Sequence, residues 1–513
     1  MPIRNLFWET GKVVRMNKKA GITKINIACS VLLQLTVIAG GIVIPRIILT
    51  LFGSEVNGLV SSVNQFLNYI QLVEGGLGGV VMAALYKPLH DKDMKSVSEI
   101  YCHSAHFFRQ IGFIYIAYLV ILAIVYPLLV NTGFGYFYSV ALIVVLGVNL
   151  AVQYFLSVSY RLLLNADRKV YVVTLIQSVI NILNVASAVF CFYFFKDLLF
   201  IKIISALIFL IQPVVFSVYV KKHYPIENNL PLKKGVLSQR WVAFGNNFAY
   251  FVHRNTDIVV LTVFSTLSTV SVYSVYMMVV IALRGVIEAV STAFVPSFGK
   301  ALAGGDREEL AKTFDIYEFV VQISSYVLFS CCLILIVPFV MIYTMGINDA
   351  DYYQPFFAVL IVIAEFICGI REPFIRAASA AAMFKKVAPH AFIEAALNIM
   401  ISLILIGKYG IAGVAVGTIV AMVYRMIAQM VLVGKGILHR SMAKSALRTV
   451  VLVIVLLGTY FLFGWFGPNG IESIGAWIVY AVITFVIQCI VAALLGITLY
   501  RNAMTSCFKK REK

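Results

Sequence analysis

Six arginines and six acids within the apolar runs of this 513-residue chain could do chemistry. They are Arg46, Arg109, Arg254, Arg284, Arg371 and Arg425, with Glu74, Asp257, Glu288, Glu365, Glu372 and Glu394. A charge at the centre of a membrane costs about 3 kcal/mol even on lenient insertion scales. Six arginines turned towards lipid would cost roughly 18 kcal/mol, more than an ordinary protein's whole stability. These groups must therefore face a wet interior or a partner. Spacing offers local partners for some: Arg254 and Asp257 are three apart, Arg284 and Glu288 four, Glu372 and Arg376 four, each on one helical face. Arg109 and Arg425 lie near the ends of their runs, where a long side chain reaches the interface. Arg46 has no acid on its own helix and follows Pro45, which loosens the backbone, so a cavity role is expected. Glu74 sits in "QLVEGGLGGVV", whose glycines allow close helix packing or bending. Glu74 and Asp257 are the candidate protonatable or ion-coupling groups.

Other chemistries find no support. The seven histidines are dispersed, and His103 and His106 lack a third ligand at zinc spacing. The eight cysteines imply no disulfide framework, and no phosphate-binding glycine loop occurs. No catalytic residue, metal site or cofactor is expected.

The elements that position these charges are membrane helices. The chain is 61% hydrophobic and 12% charged, against about 25% charged in soluble domains. Fourteen apolar runs fall at about 24–50, 59–86, 103–130, 136–160, 170–195, 198–220, 241–265, 270–297, 315–342, 353–380, 387–407, 410–433, 447–464 and 474–500. With the N-terminus inside, 32 of the 41 Lys and Arg residues fall in inner segments, 3 in outer ones and 6 within spans. Both termini are then cytoplasmic. The net charge of +18 reflects topology and anionic membrane lipids, not nucleic acid. All outer loops are short, so no external domain is expected.

An internal repeat runs through the chain. "IILTLFG" (47–53) resembles "VVLTVFS" (259–265), and "LHDKDMKSV" (89–97) faces "AGGDREELA" (303–311). "NADRKVYVVTLIQSVINILN" (165–184) faces "AMFKKVAPHAFIEAALNIMI" (382–401) at an offset of 217, aligning Asn181 with Asn398 and Gln177 with Glu394. Six helices per copy, an even number, give both copies the same orientation. The expected fold is an all-α polytopic membrane protein with about 14 transmembrane helices. Two six-helix lobes form a V-shaped parallel repeat, followed by two C-terminal helices. The expected divisions are 1–222 for the first lobe, 223–240 for a cytoplasmic linker, 241–435 for the second lobe, and 436–513 for the last two helices and a basic tail.

The stretch "PRIILTLFGSEVNGLVSSVNQFLNYIQLVEGGLGGVVMAALYKPLHDKD" (45–93) resembles the first helical hairpin of bacterial polysaccharide-transporter flippases. These belong to the multidrug/oligosaccharidyl-lipid/polysaccharide exporter superfamily. "NTDIVVLTVFSTLSTVSVYSVY" (255–276) resembles the opening of that family's second lobe. The resemblance extends over essentially the whole chain. It implies a multi-pass protein of the cell membrane that flips an undecaprenyl-pyrophosphate-linked oligosaccharide from the inner to the outer leaflet for surface polysaccharide synthesis. Alternating access of two lobes follows from the repeat, H⁺ or Na⁺ coupling is expected at Glu74 or Asp257, and a glycan polymerase or glycosyltransferases are the expected partners. In such flippases cavity arginines hold the pyrophosphate, and the last two helices can form a groove for the lipid tail. Arg46 and Arg254 fall near positions where the family carries arginine; Arg284 and Arg371 join the candidate substrate contacts on span position alone. Guanidinium forks suit a pyrophosphate diester. The rival readings are a drug or cation antiporter of the same superfamily, and a membrane glycan polymerase or acyltransferase. The first would favour an acidic, aromatic cavity over six arginines, and the second would need a catalytic constellation or large outer loops.

Reporter fusions after residues 231 and 513 should score cytoplasmic, and a fusion after 349 external. An external signal at 231 would overturn this topology.

Overall fold

Each of the fourteen apolar runs contains α-helix in the computed structural model, which describes residues 3–70, 77–130, 132–227, 256–466, 473–501 and 503. In chain order the helices are α1 (Ile3–Asn68), α2 (Leu77–Asp91), α3 (Met94–Leu129), α4 (Tyr136–Leu156), α5 (Val158–Ala166), α6 (Val170–Phe194) and α7 (Leu198–His223). A helical segment at 256–264 precedes α8 (Leu267–Gly304), α9 (Arg307–Tyr343), α10 (Pro355–Ile370), α11 (Glu372–Ala380), α12 (Phe384–Val433), α13 (Ala443–Phe466) and α14 (Ile474–Leu499). Among the described residues, ten helical stretches are long and apolar enough to cross a membrane. Two of them run from one apolar run into the next. The helix α1 breaks at Gly53 (φ 82°, ψ −178°) and α12 at Gly410 (φ 53°, ψ −130°), backbone geometries that glycine adopts without strain. The chain is an all-α polytopic membrane protein. Its burial pattern is inverted: Phe137 is 85% exposed and Ile404 75%, whereas Glu318, Gln322, Asn398 and Gln488 are fully buried. Lipid solvates the first group, and the second must find its partners inside the protein.

The backbone punctuation carries the repeat more sharply than the side chains do. Left-handed residues recur at Lys92 and Gly305, at Gly133 and Gly346, at Arg168 and Ala382, and at Lys196 and Gly410, each pair 213 or 214 residues apart. Asp93 caps α3 by accepting from the Ser96 N–H, and Asp306 caps α9 by accepting from the Glu308 and Glu309 N–H groups. The break between α4 and α5 at Ser157 recurs between α10 and α11 at Arg371, again 214 residues on. In the second copy Pro373 explains it, because proline lacks an N–H for the Gly369 carbonyl and its ring crowds that oxygen. The first copy makes the same break without a proline. This register corrects the 217-residue alignment: Asn398 corresponds to the buried Asn184, and not to Asn181.

The described helices fall into two compact units. One comprises the chain up to Gly53, the stretch from Val63, and α2 to α7. The other comprises Ser54–Ser62, the 256–264 helix and α8 to α14. A nine-residue stretch of α1 thus belongs to the second unit, inside the region expected to be wholly first-lobe. Asp349 holds its start: the Ser54 N–H donates to Asp349 Oδ2 and the Ser54 hydroxyl to Oδ1, both at 2.6 Å. A carboxylate at a helix N-terminus also meets the positive end of the helix dipole. Tyr352 joins Ser54 and Ser271 through its hydroxyl at 2.7 and 2.9 Å, and Asn57 donates to Ser271 at 2.8 Å. Gly58 lies so close to Leu267 that a Cβ there would sit 1.7 Å from the Leu267 carbonyl oxygen.

A polar stripe on α9 binds the chain's last two helices to the second unit. Arg440 clasps Asp315 at 2.5 and 3.2 Å, and Arg448, on α13, donates to Glu318 at 2.9 Å and to the Leu499 carbonyl at 3.1 Å. Tyr500 bonds Gln322, and Tyr326 donates to Gln488 on α14 at 2.7 Å. Residues 315, 318, 322 and 326 follow the three- and four-residue spacing of one helix face.

Gly58→Ala should lower the thermal midpoint of the purified protein by several degrees, an overpacking cost of about 1–3 kcal/mol. Gly79→Ala should leave it unchanged, because a Cβ at Gly79 meets nothing within 4 Å. Equal midpoints for the two variants would refute the close approach.

Candidate functional site: a buried charge network in the second unit

Five spans of the second unit bring ionisable groups together. The 256–264 helix supplies Asp257, and α8 supplies Tyr273 and Arg284, eleven residues or three turns apart on one face. The helix α10 supplies Glu365, and the break after it places Arg371 next to the Glu372–Arg376 pair on α11. The two halves of α12 fold back on each other about Gly410. This sets Asn398 against Thr418 in one layer and Glu394 against Arg425 in the next. Gly417 permits the approach, since a Cβ there would lie 2.5 Å from Ser402 Oγ.

The first layer is rich in oxygen. Asp257 Oδ2 accepts from the Tyr273 hydroxyl and from Thr418 Oγ1, each at 2.9 Å, and Asn398 Nδ2 donates to Thr418 Oγ1 at 2.9 Å. Thr418 Oγ1 also lies 3.1 Å from the Val414 carbonyl. Its single proton can serve only one of these two acceptors. Asp257 Oδ1 and Asn398 Oδ1 are buried with no hydrogen-bond partner among the described residues. Among the described residues, two acceptor oxygens of this layer are thus unmet.

Arg284 stands beside it, 6% exposed. Its Nη1 bonds both oxygens of Glu365, at 3.0 and 2.9 Å, and its Nε lies 3.8 Å from Glu288. The cross-helix acid is the principal partner, while the four-residue neighbour expected from spacing is the distant one. Glu365 is within electrostatic reach of Asp257 and Tyr273. Arg371, 3% exposed, donates to Glu394 Oε1 at 2.5 Å, and Arg425 Nη1 lies 3.6 Å from the other oxygen of that carboxylate. Arg376 pairs with Glu372 at 3.0 Å, as its four-residue spacing predicts.

The candidate residues thus separate into groups. Asp257, Arg284 and Arg371 are brought into this network, with Arg284 and Arg371 held in buried ion pairs. Arg46 belongs to the other unit, half-buried on α1, where its carbonyl accepts from the Thr50 hydroxyl at 2.8 Å. Arg254 and Glu74 lie outside the described residues. Arg109 is exposed, but Arg425, expected to reach for the interface, is 7% exposed. The helix α12 runs on to Val433, two turns past Arg425, and keeps it inside. Glu365 and Glu394, which organise the arginines, were visible only as acids within spans. Among the described residues no three His, Cys, Asp or Glu side chains are grouped to hold a metal ion.

The fold is one found in a lipid II flippase and in multidrug transporters of known structure. The structure is similar to the lipid II flippase MurJ in an inward closed conformation, with a TM-score of 0.70 and 16% identity, covering 93% of this chain and all of that one. It is also similar to the MATE multidrug transporter DinF-BH (TM-score 0.60, 15% identity, 82% and 97% of the two chains). The eukaryotic MATE transporter AtDTX14 follows at a TM-score of 0.58, 12% identity, and 82% and 96% coverage. No family model matches the sequence, and no curated protein sequence does.

Removing one partner of a buried ion pair strands the other. Arg284→Met should destabilise the protein by about 3–5 kcal/mol, and Arg284→Met with Glu365→Leu should recover most of that loss. Denaturation of the purified variants measures the coupling. Purely additive effects would dissolve the pair.

Proposed function

We propose that the chain is a flippase that carries an undecaprenyl-pyrophosphate-linked oligosaccharide from the inner to the outer leaflet, with two lobes alternating in access. The observation that carries this reading is a buried network with an oxygen-rich layer around Asp257 and paired arginines beside it. An anionic cargo calls for guanidinium groups, and a driving cation calls for a carboxylate ringed by oxygens. The fold of MurJ and the MATE transporters supports transport as the broader activity. The 32-to-3 distribution of basic residues supports cytoplasmic termini in the cell membrane. Glycan polymerase or glycosyltransferases would be the partners that make and use the cargo.

Within this reading Arg46 is the first unit's contact with the pyrophosphate, joined by Arg254. Arg284 and Arg371 would have to exchange their carboxylates for the cargo to touch it. Asp257 holds the coupling ion, a proton or Na⁺, with Thr418 and Asn398 around it. Glu74 is the corresponding acid of the first lobe. A cation-exporting antiporter on the same fold would use the acids and have little need of the arginines.

Flipping of a fluorescent pyrophosphate-linked lipid in proteoliposomes separates these readings. Arg46→Ala should slow it at least tenfold, and Arg46→Lys should restore it only in part, because lysine keeps the charge and loses the fork. Asp257→Asn should remove the dependence on a cation gradient. Full flipping by Arg46→Ala would end its role as anchor. Export of organic cations without any lipid flipping would favour the antiporter.

A further inference from the structure

The arginines of the second unit differ in how fully their charge is answered. Arg284 faces two acids, Glu365 and Glu288, and Arg376 pairs with Glu372. Arg371 and Arg425 share one carboxylate, Glu394. Arg371 takes the close contact at 2.5 Å, and Arg425 is left at 3.6 Å. Three donor nitrogens of this pair, Arg371 Nε, Arg425 Nε and Arg425 Nη1, are buried without a hydrogen-bond acceptor among the described residues. Burying a guanidinium with unmet donors and half a counter-ion is costly, and a second anion would remove the cost.

We infer that Arg425, with Arg371 beside it, is the second unit's receptor for a phosphate group, and that Glu394 is the resident carboxylate which that group displaces. The inference rests on the flippase reading for its cargo, the pyrophosphate of the carrier lipid, and adds Arg425, a residue that reading did not use. Two guanidinium groups on one acid match two adjacent phosphates, each able to take a forked pair of bonds. Glu394 then serves as a stand-in anion, keeping the arginines partnered between cargoes and making way when a phosphate arrives. A purely structural triad would need only one arginine for its one acid.

Inorganic pyrophosphate is the probe, with wild-type protein in nanodiscs of zwitterionic lipid. A ligand that binds the folded state raises the thermal midpoint in proportion to its saturation. Wild type should show a dose-dependent rise. Arg425→Gln leaves Arg371 and Glu394 as a neutral pair, so the variant should fold, and its apparent affinity for pyrophosphate should fall at least tenfold. Arg425→Lys should fold and bind at an intermediate level. A pyrophosphate response in Arg425→Gln and Arg425→Lys equal to wild type would overturn the assignment while leaving the flippase reading intact. Absence of any response in wild type would sink that reading of the site as well. In nanodiscs containing phosphatidylglycerol, an Arg425-dependent rise without pyrophosphate would make the occupant a lipid headgroup and overturn the cargo assignment.

Discussion

Charge balance in a medium without water governs this molecule. Within a bilayer every polar group must be answered by the protein itself, so each buried arginine dictates the position of an acid and of the helix that carries it. Arg284 fixes α8 against α10 through Glu365, and Arg371 fixes the break after α10 against α12 through Glu394. Glu318 does the same for the last two helices through Arg448. Apolar packing alone would not choose among helix registers, because lipid tails are as apolar as the side chains they would replace. The ion pairs and hydrogen bonds supply the choice. Among the described residues, acceptors are left unmet around Asp257 and donors around Arg425.

Much of the fold was legible in the sequence because membrane helices announce themselves by length. Each of the fourteen apolar runs contains helix among its described residues, and the two places where consecutive runs fuse, Gly53 and Gly410, carry glycine. The repeat was legible too, but its third segment was read three residues out of register. A slip of three residues is nearly one helical turn and keeps the same residues on the same face, so apolar patterning hardly resists it. Backbone punctuation does resist it, since a left-handed residue cannot drift along a helix.

The site was legible only where partners are neighbours in sequence. Glu372 and Arg376 sit four apart and pair as expected. Arg284 instead finds its acid 81 residues away, and Arg371 finds its own 23 away. Spacing rules see a single helix and are blind to both. Arg425 was misjudged for a related reason: distance from the end of an apolar run is a poor guide when the helix continues beyond it.

The clasp between Ser54 and Asp349 has a consequence for how the protein is made. The two residues are 295 positions apart. At roughly 5–20 residues per second of synthesis, Ser54 leaves the ribosome about 15–60 s before its partner exists. Through that interval the backbone N–H and hydroxyl of Ser54 and the side-chain amide of Asn57 have no acceptors from the Asp349 loop or α8. The nascent hairpin must wait, with its polar face near the membrane surface or sheltered by the insertion machinery. The second unit is therefore completed by a piece translated long before it, and biogenesis cannot proceed as two independent halves inserted one after the other.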